Sequence, residues 1–145
     1  MMKFSAINIL IVITLIGIDY ALAQDSESEG INISVIVDRV SSEEGRVLFS
    51  LHSKKTWLKG PGVMNAAADI VDGRSETVFD NVPPGTYAIM VMHDKNNNDD
   101  MDVNKIGLPK EDYGSSRNPA KLGPPSFGAS KFKVKKEDLS FEIHL

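Results

Sequence analysis

Phe79-Asp80-Asn81-Val82-Pro83-Pro84-Gly85-Thr86-Tyr87-Ala88-Ile89-Met90-Val91-Met92-His93 is the stretch that decides the fold. Pro83 and Pro84 donate no amide hydrogen, so any sheet ladder running through them must stop, and Gly85 lets the chain turn. Beyond the turn, Tyr87, Ile89, Val91 and His93 take one face of an extended chain. Ala88, Met90 and Met92 take the other. A strand apolar on both faces reads as central, covered on each side, in a two-layer stack.

Working outward, period-two patterns recur. Ile31, Ile33, Val35 and Val37 alternate along one run, and Val47, Phe49 and Leu51 along the next. The polar link Ser41–Gly45 between them predicts an antiparallel hairpin. Ser75–Phe79 predicts a further strand after the tight-turn pair Asp72-Gly73. Ser130–Val134 and Leu139–Leu145 close the chain as two more. Asn65–Ile70 holds three alanines and permits a short helix, although so short a segment cannot sustain one alone. Lys131, Lys133 and Lys135 form the wet face of a strand, an edge guarded by lysine. The expectation is an all-β, antiparallel β-sandwich of about seven short strands, with one long structured loop.

The N-terminal residues have another purpose. Lys3, the apolar run Ile7–Ile18 and Ala21-Leu22-Ala23 match a secretory signal peptide, residues 1–23. The run is too short for a comfortable membrane span. Gln24–Gly30 is polar and reads as a flexible leader. Residues 31–145 then form a single domain, expected to be secreted or periplasmic with no membrane attachment after cleavage. The chain has no cysteine, so no disulfide staples it, and stability must come from packing or a bound ion. A net charge of −4 without a basic cluster argues against nucleic-acid binding.

Chemistry concentrates where the central strand ends. Asp94, Asn96, Asn98, Asp100, Asp102 and Asn104 place an oxygen-bearing side chain at every second position. Hard cations such as Ca²⁺ take six to eight oxygens from such groups. With Asp94 as position one, Asn96, Asn98 and Asp102 fall at three, five and nine of the calcium-loop template, and the Asp100 carbonyl at seven. Position six is Asp99 instead of glycine, and position twelve is Lys105 instead of glutamate. Flanking helices are absent. The missing carboxylate would come from Glu111 or Asp112. The bland alternative is a solvated Asn/Asp turn, common because these side chains bond their own backbone.

Other sites carry less. His93 beside Asp94 invites a catalytic or zinc reading, set against a histidine packed at the sheet rim and bonded to loop backbone. His52 and His144 share no motif with it. Asp94 with Glu111 would make the acid/base pair of a hydrolase, but no nucleophile motif accompanies them. Trp57, Tyr113 and Phe127, together with His93, are candidates for a ligand surface; the simpler role for the aromatics is to cover the ends of the core.

Several of these motifs carry a family resemblance. Phe79-x-x-Val82-Pro83-Pro84-Gly85-x-Tyr87-Ala88 is similar to a hairpin of transthyretin-like and carboxypeptidase-regulatory-like sandwiches. His93-Asp94-x-Asn96-x-Asn98 with Asp102, Gly107-x-Pro109-x-Glu111-x-Tyr113-Gly114-x-Ser116, Gly123-Pro124-Pro125-x-Phe127 and Ala129-x-x-Phe132 follow. Together they resemble small exported bacterial proteins grouped as domain of unknown function 2141. The resemblance implies export and a β-sandwich, and no activity. Two positions depart from it: Asn97 stands where glycine is common, and Asp112 where glycine often follows the glutamate. Asparagine tolerates positive φ, so the turn survives the first. The expected function is thus a non-catalytic binding or accessory module, not an enzyme. Its loop would be organised by Ca²⁺, and its partner would be a protein or glycan at the cell envelope. The alternatives are a hydrolase using Asp94 and Glu111, or a structural envelope domain without metal.

Overall fold

The structure is a computed structural model that describes residues 30–120 and 123–145. The expected signal peptide (1–23) and, apart from Gly30, the leader (24–30) lie outside the described residues. Eight strands and one short helix follow in the order β1 (Ile31–Asp38), β2 (Arg46–His52), β3 (Met64–Ala68), β4 (Ser75–Val82), β5 (Gly85–Asp94), β6 (Tyr113–Ser115), α1 (Phe127–Ser130), β7 (Phe132–Val134) and β8 (Leu139–His144). One sheet has the order β4-β1-β8; the other has the order β3-β2-β5-β6, with β7 also pairing β5. Two facing sheets make the all-β sandwich that the alternation predicts.

The alternating residues meet between the layers. Ile33, Val35 and Val37 of β1, Phe79 of β4 and Ile143 of β8 face Val47, Phe49 and Leu51 of β2 and Ile89 and Val91 of β5. All but Phe79 are fully buried. Each such side chain contributes about 1.5–3 kcal/mol by leaving water, so this layer holds the sheets together in place of disulfides. The strand β5 is central as expected. It pairs antiparallel with β2 from Ala88 to Asp94, with β7 near its start and with β6 near its end. Pro83 and Pro84 sit where the chain leaves one sheet and enters the other.

Three expectations are corrected. The strands β1 and β2 are not a hairpin: β1 pairs β4 and, in parallel, β8, while β2 pairs β3 and β5. The link between them is an arch from one layer to the other, with Arg39 at φ 58° and Gly45 at φ 73°. The Ala-rich segment is a strand, because β2 supplies the ladder that an isolated helical turn would lack. At residue 130 the chain is helical rather than extended: Ser126 caps α1 by accepting from the Ala129 amide, and β7 starts at Phe132.

Gly114 sets how closely β6 approaches the opposite sheet. A Cβ there would lie 2.7 Å from Ile143 Cγ2 and 2.8 Å from the His144 carbonyl oxygen. Gly114→Ala is therefore expected to destabilise the fold by about 1–3 kcal/mol, the usual cost of overpacking, read as a lower urea midpoint with an unchanged slope.

Candidate metal centre and its surroundings

The loop begins where β5 runs out of partners. Asp94 is fully buried at its end, opposite Arg46 of β2. A carboxylate removed from water must be given donors. Asp94 Oδ1 accepts the Asn98 amide at 3.1 Å, and Oδ2 accepts the Asp99 amide at 3.0 Å. The guanidinium of Arg46 adds charge: its Nε lies 3.8 Å from Asp94 Oδ2, and its Nη2 lies 2.6 Å from Asp99 Oδ1. Asn97 and Asp99 adopt φ of 57° and 64°. The turn survives asparagine in the glycine place, and Asp99 takes a left-handed conformation at template position six.

Glu111, nearly buried, works as a clasp. Its Oε1 accepts the Lys95 amide at 3.0 Å and its Oε2 the Asp102 amide at 3.1 Å, joining the entrance of the turn to its exit. Between these points the polar side chains converge. Asn96 Nδ2 donates to Asp102 Oδ2 at 2.8 Å, and Asn98 Nδ2 to Asp102 Oδ1 at 3.3 Å. The Oδ1 atoms of Asn96 and Asn98 accept the amides of Asn98 and Asp100. Asp100 is turned away, accepting the Met101 amide. The structure thus gathers Asp94, Asn96, Asn98, Asp102 and Glu111 around one turn, and leaves Asp100 at its rim. Among the described residues, no three His, Asp or Glu side chains are grouped closely enough to hold a metal ion in this conformation.

The neighbouring Asp112 points the other way. Burial pushes its carboxyl up, but the Ser41 hydroxyl at 2.9 Å and the Lys95 ammonium outweigh this and hold it below its ordinary value. The arch thereby gains a polar tie to the loop. Gly45 completes the contact: a Cβ there would collide with the Asp94 carbonyl. Arg46, Ser41 and Gly45 belong to the site, and no motif announces them. Only the Arg46–Asp94 register brings them in.

His93 lies at the last but one position of β5 and is bonded to loop backbone, as the plainer reading has it. It is fully buried on the core face, and its Nε2–H donates to the Glu44 carbonyl at 2.7 Å. Its Nδ1 has no partner among the described residues. His52 and His144 lie elsewhere. His144 Nδ1 pairs with Asp38 Oδ1 at 2.5 Å on the other sheet, so the three histidines do not assemble a zinc site. Nor do the aromatics form one platform. Trp57 stacks edge-on against His52 and Phe127, with ring centroids 5.6 and 5.8 Å away, and its Nε1–H donates to the Pro125 carbonyl. Trp57 is buried against these two rings and lies outside the cluster of core side chains between the sheets. Tyr113 lines a separate hollow of about 250 Å³ with Arg39, Asn118 and His144.

Two predictions follow from this geometry. Asp94→Ala leaves two amides without their acceptor and is expected to cost about 1–3 kcal/mol. Asp99→Asn, which tolerates the same positive φ and removes only the charge of a surface ion pair, should cost under about 1 kcal/mol; thermal melts of the two variants provide the comparison. Burial lowers the pKa of His52 below 6.5, opposed in part by its hydrogen bond to the Thr56 carbonyl. The neutral ring is then the form the fold prefers. Its stabilisation is complete above 6.5 and is lost as pH falls through the lowered folded value. Trp57 is the chain's one tryptophan, so its emission should titrate with a midpoint below 6.5, and the step should vanish in His52→Gln.

Comparison with known proteins adds the lineage. Neither the curated proteins nor the solved structures contain a match. A family model described as an uncharacterized protein conserved in bacteria, domain of unknown function 2141, matches residues 35–142, from the middle of β1 into β8. That span covers both sheets and the whole loop, and the chain belongs to this bacterial family.

Proposed function

We propose that the chain is an exported, non-catalytic binding or accessory module whose turn 94–102 takes up Ca²⁺. The observation that carries this reading is the convergence of Asn96 and Asn98 on the Asp102 carboxylate, beside Asp94. An ionised carboxylate offers about four lone-pair sites, and the hydrogen bonds of Asp94 engage two of them. Glu111 and the left-handed Asp99 hold the turn closed without the glycine and twelfth-position glutamate of the template. Export is supported by the charged start, the apolar run and the small-residue cleavage pattern of residues 1–23. The partner belongs to the envelope or the exterior, a protein or a glycan, and the loop shapes the surface that meets it.

One specific observation favours a second reading, a structural domain without metal. The loop carboxylates Asp94, Asp102 and Glu111 already accept hydrogen bonds from amides, so the turn closes unaided. A hydrolase is weaker than either. Asp94 and Glu111 are buried, and both spend their oxygens on backbone, out of reach of a substrate proton.

Titration calorimetry with CaCl₂ at neutral pH separates the readings. Extracellular calcium modules bind with Kd of about 10⁻⁴–10⁻³ M. At millimolar calcium the fold should therefore gain about 0.4–1.4 kcal/mol, and Asp102→Asn should abolish the gain. Absent heat, together with a melting temperature indifferent to chelator, leaves the metal-free reading.

A further inference from the structure

Among the described residues the sandwich has several open strand edges, and all but one are protected. Strand β4 carries Glu76 and Asp80. Asn118 covers β8, donating to the Glu142 carbonyl and accepting the His144 amide. The strand β6 is three residues long, and β7 is interleaved with lysine. Short strands, charge and cover are the usual means of keeping an edge from pairing with another chain. Strand β3, Met-Asn-Ala-Ala-Ala, has none of them. It carries no charge and no proline, and it pairs β2 without a register shift. Among the described residues, only Ser75 Oγ, on the Ala68 carbonyl, meets its backbone outside that ladder. Val63 and Leu58 beside it are 49 % and 57 % exposed.

The same edge adjoins a cleft of about 790 Å³ on the outer face of the sheet. Leu48, Met90 and Met92 form its floor, Leu58 and Pro61 one wall, and Met101 of the loop another. Here the outward residues of β3 are Asn65 and Ala67, too small to fill the space. At the loop end, Asp99 is paired with Arg46, whereas Asp100 has no cationic partner among the described residues.

We propose that β3 accepts an extended segment of a partner protein as an added strand. Main-chain hydrogen bonds to β3 supply affinity, and alternate side chains of the segment supply specificity. The side chains that lean into the cleft are bulky and apolar, because only such groups fill a methionine-floored hollow. A lysine or arginine on the segment answers Asp100. A second copy pairing through its own β3 is the poorer occupant, since it would offer only Asn65 and Ala67 to the space. This inference rests on the reading of the chain as a binding module and not on calcium. The calorimetry above tests the ion alone, so the two fail separately.

The probe is a synthetic peptide, Lys-Leu-Thr-Val-Thr-Leu-Thr-Lys, with a control methylated on alternate backbone nitrogens. Saturable binding of the first but not the second is expected, with slowed hydrogen exchange at the amides of residues 64–68. Ala67→Lys, at an exposed position, should weaken binding roughly tenfold or more without lowering the melting temperature. Hydrogen exchange on the unaltered chain decides the matter should that variant fold poorly. No binding, equal binding of the methylated peptide, or protection on another edge overturns the proposal. So does a concentration-dependent dimer that Ala67→Lys dissolves, which would assign the edge to a second copy.

Discussion

Two buried carboxylates govern how the second half of the chain is laid down. Asp94 and Glu111 leave water only because four backbone amides and Arg46 compensate them. An uncompensated carboxylate there would cost several kcal/mol, so the turn must close for the strand end to be buried at all. Once closed, it returns the chain alongside β5, with Tyr113 opposite Met92. Polar contacts then continue along that edge. The Ser116 amide donates to the Ile89 carbonyl, and Ser116 Oγ both accepts the Ile89 amide and donates to the Ser130 carbonyl. Ser115 Oγ meets Ser130 Oγ at 2.9 Å. The buried serines of the Tyr-Gly-Ser-Ser stretch thus satisfy β5 where β6 ends and before β7 begins.

This arrangement explains which parts of the fold were legible in the sequence. Period-two alternation marks β1, β2 and β5 plainly, because both layers bury one face of each and water rejects a slipped register. It says nothing about partners, and so β1 and β2 read as a hairpin although they lie in different sheets. An arch and a hairpin demand the same polar, acidic link. Strand β3 escapes the pattern for a different reason. Alanine is a strong helix former, and its small side chain barely distinguishes a buried face from a wet one. Only the β2 ladder decides its state, and the irregular segment 53–63 between the two strands hides that pairing.

The candidate site divides along the same line. Asp94, Asn96, Asn98 and Asp102 are local, and their spacing admits both a cation-wrapping loop and a turn closed on its own oxygens. Glu111 is legible from its motif, but its action as a clasp on the Lys95 and Asp102 amides depends on how the chain folds back after the turn. Arg46 shows the limit. The pairing of Arg46 with the loop depends on a cross-strand register. His93 follows the inward parity of Ile89 and Val91 into the core, where the Glu44 carbonyl receives its proton. Strand alternation, carried one residue further, already placed His93 inside; the neighbouring aspartate made it look like a site residue.

The same loop that closes on itself also bounds the outer cleft, and these two roles constrain each other. Met101 lines the cleft, and beside it Glu111 accepts the Asp102 amide and Asp100 accepts the Met101 amide. Anything that tightens the turn, whether its own hydrogen bonds or an ion sharing the Asp102 carboxylate, fixes Met101 and the free charge of Asp100 against the sheet. Side-chain and loop ordering ordinarily subtracts from binding affinity. A wall ordered in advance would reduce that cost for the segment proposed to pair with β3. Loop and edge thus border one cleft, and in the proposed binding role the buried carboxylates at the end of β5 would set the shape of its wall.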